Sequence, residues 1–142
     1  ETRRQLGRRL DGQIIDLIVM MLCAERDKSG DDSSPASREL MARILDHLEE
    51  CYSDPDLTPV GVADWAGVSV GYLHRVFSTH GKTFGGALRN IRLSRAYEAL
   101  AFPGGDRKRI GDLAFECGFG DHAYFSRIFR ETYQVSPSEV RR

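Results

Sequence analysis

No run of apolar residues in this 142-residue chain approaches the roughly 20 that a helix needs to cross a bilayer, and no secretory signal pattern is present. The expectation is a chain with no membrane span, placed in the cytoplasm. Cysteine is scarce: Cys23, Cys51 and Cys117 are odd in number and share no metal-ligand spacing, which argues against a disulfide framework or a zinc site. The acids and the four histidines form no Ser-His-Asp, Cys-His, paired-carboxylate, phosphate-loop or metal arrangement. We therefore expect no enzyme, no cofactor and no metal. The net charge of −1 lacks the excess positive charge common in nucleic-acid binders. One further absence is local. From Trp65 to Tyr97 there is no Asp or Glu, while that stretch holds Arg75, Lys82, Arg89, Arg92 and Arg95 with His74 and His80. The acids gather elsewhere, at Glu25, Asp27, Asp31 and Asp32 and again at Glu49, Glu50, Asp54 and Asp56. Segregated charge lets a neutral chain present a basic face to a polyanion, whereas a solvated helix surface mixes its signs.

What the chain does contain is a repeat. Ala63-Asp64-Trp65-Ala66-Gly67 is followed by Tyr72-Leu73-His74-Arg75-Val76-Phe77. Ala114-Phe115-Glu116-Cys117-Gly118 is followed by Tyr124-Phe125-Ser126-Arg127-Ile128-Phe129, with one more residue after its glycine. A small residue where two helices meet, a glycine that ends the first helix in a left-handed turn, and apolar positions that pin the second helix are the features of a helix-turn-helix. Two such units in one short chain suit two successive major grooves of DNA.

Around the repeat the chain divides into segments. Residues 1–28 read as one amphipathic helix, with Leu6, Leu10, Ile14, Leu17, Ile18, Met21 and Leu22 at three- and four-residue steps. The chain opens on Glu1 and is expected to be a piece of a longer protein, this helix being the remnant of an upstream domain. Residues 6–22 are a candidate homodimer seam. Residues 29–36 are polar and flexible in composition and mark a linker before a domain at 37–142. A helix is expected from Ser37, as its N-cap, to Tyr52, with Leu40, Ile44, Leu45 and Leu48 buried. The first helix-turn-helix spans about 58–80: Thr58 caps, Pro59 sits in the first turn, Trp65 belongs to the core, Gly67 ends the helix, and Ser69 caps a recognition helix near 70–80. A joining helix runs over 84–101, long enough at about 1.5 Å per residue to hold two units roughly one DNA turn apart. The second helix-turn-helix spans about 110–132, its recognition helix near 121–132, and Ser136-Pro137 opens a last short helix.

The outward positions near the start of each recognition helix are the candidates for base contact. They are Val70, Gly71, His74 and Arg75 in the first unit and His122, Ala123, Ser126 and Arg127 in the second. Arg75 and Arg127 occupy matched places, and arginine pairs with the O6 and N7 of guanine at about 1–3 kcal/mol per base pair. Gly71 and Ala123 permit close approach and contact with a thymine methyl. Phosphate contacts are expected from Ser69, Lys82 and Thr83, from Arg89 or Arg92 on the joining helix, and from Arg130, Ser136 and Ser138. Tyr72, Leu73, Val76 and Phe77, and likewise Tyr124, Phe125, Ile128 and Phe129, should face inward.

The repeat, with Gly118-Phe119-Gly120-Asp121-His122-Ala123-Tyr124-Phe125-Ser126-Arg127-Ile128-Phe129-Arg130 and the later Val135-Ser136-Pro137-Ser138-Glu139-Val140-Arg141, resembles the DNA-binding domain of the AraC/XylS family of bacterial transcription regulators over about residues 38–142. The resemblance implies an all-α fold of about seven helices, two helix-turn-helix units joined by a central helix, in addition to the N-terminal amphipathic helix. It implies a sequence-specific DNA-binding regulator, an activator, with double-stranded DNA and RNA polymerase as partners. A small-molecule effector, if there is one, would sit on an upstream domain. Two departures touch the second unit. Gly120 stands where the family commonly has Ser, which weakens the helix cap or shifts it to Asp121. Gln134 stands where glycine is common, so that turn must accept a side chain or take another φ. The loop after Phe77 is also one residue shorter than in many members, with Gly81 as its turn. The alternative reading is a helix-turn-helix module for protein interaction or dimerisation without direct DNA binding.

Overall fold

The computed structural model describes Ile18, residues 34–102 and residues 108–141. The expected helix over 1–28, its candidate dimer seam at 6–22 and residues 29–33 of the linker lie outside the described residues, apart from Ile18, which is helical and exposed. Among the described residues the chain is all-α, with seven helices and no strand. These are α1 (Pro35–Cys51), α2 (Pro59–Ala66), α3 (Val70–Thr79), α4 (Phe84–Ala101), α5 (Ile110–Glu116), α6 (His122–Tyr133) and α7 (Pro137–Val140). No helix among them is long and apolar enough to cross a membrane.

Helix boundaries follow local chemistry. Thr58 Oγ1 accepts the amide of Gly61 at 3.2 Å, with Pro59 at the first helical position of α2. Ser69 Oγ accepts the amide of Tyr72 at 3.1 Å and starts α3. α1 corrects the expected start. Ser34, not Ser37, is the cap: its Oγ accepts the Ser37 amide at 3.2 Å. Pro35 and Ala36, assigned above to the linker, are the first residues of the helix. Ser37 is buried instead, on the same face as Met41, Ile44 and Leu48, while Leu40 and Leu45 are half-buried.

The described residues form two compact units. One comprises residues 34–47 with Thr58–Ala87; the other comprises Leu48–Leu57 with residues 88–102 and 108–141. In the first, α2 packs on α3. Val62, Ala63, Leu73, Val76 and Phe77 are buried, and Phe77 meets Phe84 edge-to-face at 5.9 Å. In the second, α5 packs on α6 and α6 on α7. Its core gathers Leu93, Ala96, Leu100, Leu113, Ala114, Cys117, Phe119, Phe125, Ile128 and Phe129. Aromatic rings run through it in sequence: Phe119 to Phe125 at 5.0 Å, Phe125 to Phe129 at 5.4 Å, Phe129 to Tyr133 at 4.8 Å and Tyr133 to Tyr97 at 4.7 Å. Pairs at such separations add to the stabilisation from buried area.

Candidate nucleic-acid interface

The two helix-turn-helix motifs are built by the same hydrogen bonds. Gly67 takes φ 71° and the Val68 amide reaches back to Ala63 O at 3.0 Å. Gly118 takes φ 84° and the Phe119 amide reaches Ala114 O at 2.9 Å. A left-handed residue closing a helix this way satisfies carbonyls that the helix leaves open. Ala63 and Ala114 are buried at the approach of the paired helices, where a larger side chain would hold them apart.

The caps differ in chemistry. Ser69 opens α3, whereas Asp121 opens α6, its carboxylate accepting the Tyr124 amide at 2.9 Å. Of the two outcomes expected for the missing serine at 120, the shift to Asp121 is the one found. From its cap onward each recognition helix repeats one register. Val70 and His122 are first, Gly71 and Ala123 second, Tyr72 and Tyr124 third, His74 and Ser126 fifth, Arg75 and Arg127 sixth. Residues one, two, five and six lie on one side of a 3.6-residue helix. Val70, His122, Ala123 and Arg127 are exposed, and Gly71, Arg75 and Ser126 are half-buried.

His74 is the correction in this set. It is only 4% exposed, so its ring is part of the first unit's interior and does not present itself to a base edge. The apolar face of α3 is wider than the outward positions implied, because Leu73, Val76 and Phe77 bury a broad arc that takes in residue 74. Tyr72 and Tyr124, expected inward, are half-buried, and each lies beneath the arginine three residues on. Arg75 Cζ stands 5.1 Å from the centre of the Tyr72 ring and Arg127 Cζ 5.6 Å from that of Tyr124. Sequence reading missed these tyrosines as part of the surface, although the repeated Tyr-x-x-Arg spacing was there to signal it.

The expected phosphate contacts sort into two groups. Lys82, Arg130 and Ser138 are exposed, and Arg89 is half-buried on α4. Ser69 and Thr83 have their oxygens committed as helix caps, Thr83 Oγ1 accepting the Gly86 amide at 3.0 Å; each keeps a hydroxyl proton to donate. Ser136 donates both its amide, at 2.7 Å, and its hydroxyl, at 2.6 Å, to the Glu139 carboxylate, a capping box that starts α7 and sets a negative charge beside it. Its hydroxyl proton is thus already placed. Arg92 is a second correction. Its Nε donates to Tyr52 O at 2.7 Å and its Nη2 to Asp54 O at 2.6 Å, tying down the chain as it leaves α1. Burial lowers the pKa of this guanidinium, opposed by the nearby Asp54 carboxylate. Two of its donors are thus committed inside the fold, and Arg92 acts as a structural strut. Arg95 pairs with Glu49 and with Glu98, and those hydrogen bonds raise its pKa.

Trp65 is a third correction. It is 47% exposed, stacked face to face on His47 at 3.8 Å, with Arg43 Cζ 5.8 Å from its ring. Gln134 takes φ 61°, so the left-handed turn that usually holds glycine holds a side chain here, whose amide donates to Glu131 O at 2.9 Å. Among the described residues no group of three or more His, Cys, Asp or Glu is placed to hold a metal ion.

A helix-turn-helix domain family matches residues 62–142, which takes in both motifs and α4. The chain belongs to the AraC/XylS family. As an AraC-type chain it carries the DNA-binding helix-turn-helix units of a transcription regulator. It is 37% identical over 134 residues to the HTH-type transcriptional regulator YijO of Escherichia coli K12, covering 92% of this chain and 46% of that protein. It is 30% identical over 128 residues to the HTH-type transcriptional activator RhaS of Enterobacter sp. strain 638, covering 89% of this chain and 43% of that one. The chain thus spans about half the length of the curated relatives it matches. Among solved structures, the C-terminal domain of the response regulator AraT of Geobacillus stearothermophilus superposes with a TM-score of 0.64 at 31% identity, over 76% of this chain and 84% of that one.

Proposed function

We propose that this chain is the DNA-reading part of a sequence-specific transcription activator, and that it sets the starts of α3 and α6 into successive major grooves. The observation that carries this is the identical register of the two helices, with Arg75 and Arg127 both sixth from their caps on the side that holds Val70, Gly71, His122 and Ala123. In that role the two arginines read guanine through paired hydrogen bonds. Gly71 and Ala123 admit the groove wall closely, and Val70 gives an apolar contact to a thymine methyl. His122 and Ser126 supply exchangeable donors and acceptors. Lys82, Arg89, Arg130 and Ser138, with the hydroxyls of Ser69 and Thr83, meet phosphates and fix the register without reading sequence.

RhaS is named an activator, and this chain takes the same role in our reading, with RNA polymerase as a further partner. Self-association through residues 6–22 and a cytoplasmic location complete the proposal; a small-molecule effector, if there is one, would sit on an upstream domain. Light scattering with and without residues 1–28 tests the self-association: a monomer in both cases removes it.

The test of DNA reading is selection of binding sites from a random DNA pool, followed by affinity measurements on the selected site. Two short conserved blocks about 10 bp apart are expected. Arg75→Ala and Arg127→Ala should each cost about 1–3 kcal/mol and relax preference at one base pair. A single block, or equal weakening on all sequences for both variants, overturns the two-groove reading.

A further inference from the structure

We propose that Tyr72 and Tyr124 are positioning residues for DNA readout, each holding the guanidinium of Arg75 or Arg127 over its ring at the entering end of the recognition helix. The inference rests on the base-reading role proposed for those arginines. The same contact occurs twice in independent units, at 5.1 Å and 5.6 Å, between residues third and sixth from the cap. Helical side chains lean toward the helix N-terminus, so an arginine at the sixth position reaches back over the third. An arginine with nothing beneath it would sample many rotamers. A ring face within about 6 Å attracts the cation and narrows that sampling. Each tyrosine is in turn anchored: its amide is held by the cap, at 3.1 Å to Ser69 Oγ and 2.9 Å to Asp121 Oδ1, and its side chain is half-buried. Tyr124 also packs against the core of its unit. The cap, the tyrosine and the arginine therefore form one local chain of constraints, and a planar fork fixed in advance loses less freedom on pairing with guanine.

The first unit's pair is the tighter one, with the shorter separation and the half-buried arginine, while Arg127 is exposed. Removing the Tyr72 ring should have the larger effect.

The experiment uses the full chain and the site selected from random DNA, with single base-pair changes under each recognition helix. The variants are Tyr72→Leu, Tyr72→Phe and Arg75→Ala, with Tyr124→Leu, Tyr124→Phe and Arg127→Ala. Arg→Ala identifies the base pair that each arginine reads. Tyr→Leu is expected to reduce discrimination at that same pair, about three- to tenfold for Tyr72 and two- to fivefold for Tyr124, while Tyr→Phe keeps it within about twofold. Other base pairs and the salt slope stay as in the parent. Lost discrimination in Arg→Ala with full discrimination in Tyr→Leu overturns this inference alone. Tyr→Phe behaving like Tyr→Leu overturns it by assigning the role to the hydroxyl. Uniform weakening by both Arg→Ala variants overturns the base-reading function and this inference with it. Proton NMR of the free chain gives a measurement independent of DNA and of variant folding: ring-current upfield shifts of the Arg75 and Arg127 Hδ protons are expected, and random-coil positions overturn the proposal.

Discussion

Replacing the two turn glycines by alanine should give very different losses, although the residues occupy the same place in the repeat. Gly67 at φ 71° has open space where a Cβ would go. Gly67→Ala meets only the left-handed backbone penalty, roughly 1–2 kcal/mol, partly offset by the reduced freedom of the unfolded chain. A net loss of about 1 kcal/mol is expected. Gly118 at φ 84° is enclosed: a Cβ there would lie 2.6 Å from Tyr52 O, 2.7 Å from Arg92 Nε and 2.8 Å from Arg92 Cζ. The carbonyl is backbone and cannot swing aside, and the guanidinium is held by its two bonds to Tyr52 and Asp54. Relief means breaking at least one bond to a charged donor, about 1.5–3 kcal/mol, on top of the same backbone penalty. Gly118→Ala should therefore cost about 2.5–4 kcal/mol. Urea unfolding followed by far-UV circular dichroism reads both. At a slope near 2 kcal/mol/M, the midpoint falls by about 0.5 M for Gly67→Ala and about 1.2–2 M for Gly118→Ala. Asparagine separates the causes. Gly67→Asn should lie close to the parent because asparagine tolerates the left-handed region, whereas Gly118→Asn should be no better than alanine because it also carries a Cβ. Cutting back the strut should recover part of the loss, with about 1 kcal/mol of coupling between Arg92→Ala and Gly118→Ala. Equal losses at both glycines, or rescue of position 118 by asparagine, would refute the crowding reasoning.

Arg92→Ala by itself should lower stability by about 2 kcal/mol while leaving the dependence of DNA affinity on salt unchanged; Lys82→Ala should leave stability alone and reduce that slope by about one, as measured by titrations from low to moderate salt. The Cys117 thiol is pushed up to about 11, chiefly by burial, with Glu116 adding to the rise and Arg92 opposing it. A shift of two units from 9.0 lowers its thiolate fraction near pH 8 about a hundredfold, so alkylation at that pH should spare Cys117, as peptide mapping would show. A raised folded pKa also means that this group's contribution to stability is complete below pH 9 and lost as pH rises toward 11; unfolding midpoints across that range should fall less in Cys117→Ala than in the parent. Trp65, the single tryptophan, should emit at a wavelength typical of partial solvation and be readily quenched by acrylamide; a blue-shifted, unquenchable emission would place it back in the core.

What could be read from the chain in advance was what neighbouring residues decide. Thr58-Pro59, Ser69, Gly67 and Gly118 set helix ends through bonds spanning three to five residues, and the bounds of α4 over Phe84–Ala101 were found as expected. The start of α1 was missed although Ser34-Pro35 carries the same signal as Thr58-Pro59, because Ser37 offered a competing cap. What could not be read depends on distant partners. Arg92 finds its acceptors 38 and 40 residues away. Trp65 stacks on His47, and in a helix of only eight residues no periodicity separates a flank from a face. For the candidate interface, the outward positions at the starts of α3 and α6 were legible, but the width of the buried arc that takes in His74 was not, since it is set by how the helices pack and not by the period of α3 itself.

Gln134 leaves the fold short of the stability it could reach. Its backbone at φ 61° is one that glycine adopts freely and glutamine does not, and the side-chain bond to Glu131 O repays only part of that penalty. Gln134→Gly should raise the unfolding midpoint modestly, by the equivalent of about 0.5–1 kcal/mol, without touching any residue of α3 or of the outward side of α6. The exit of α6 is thus a tolerant site for engineering, where robustness can be improved without altering the outward side of that helix.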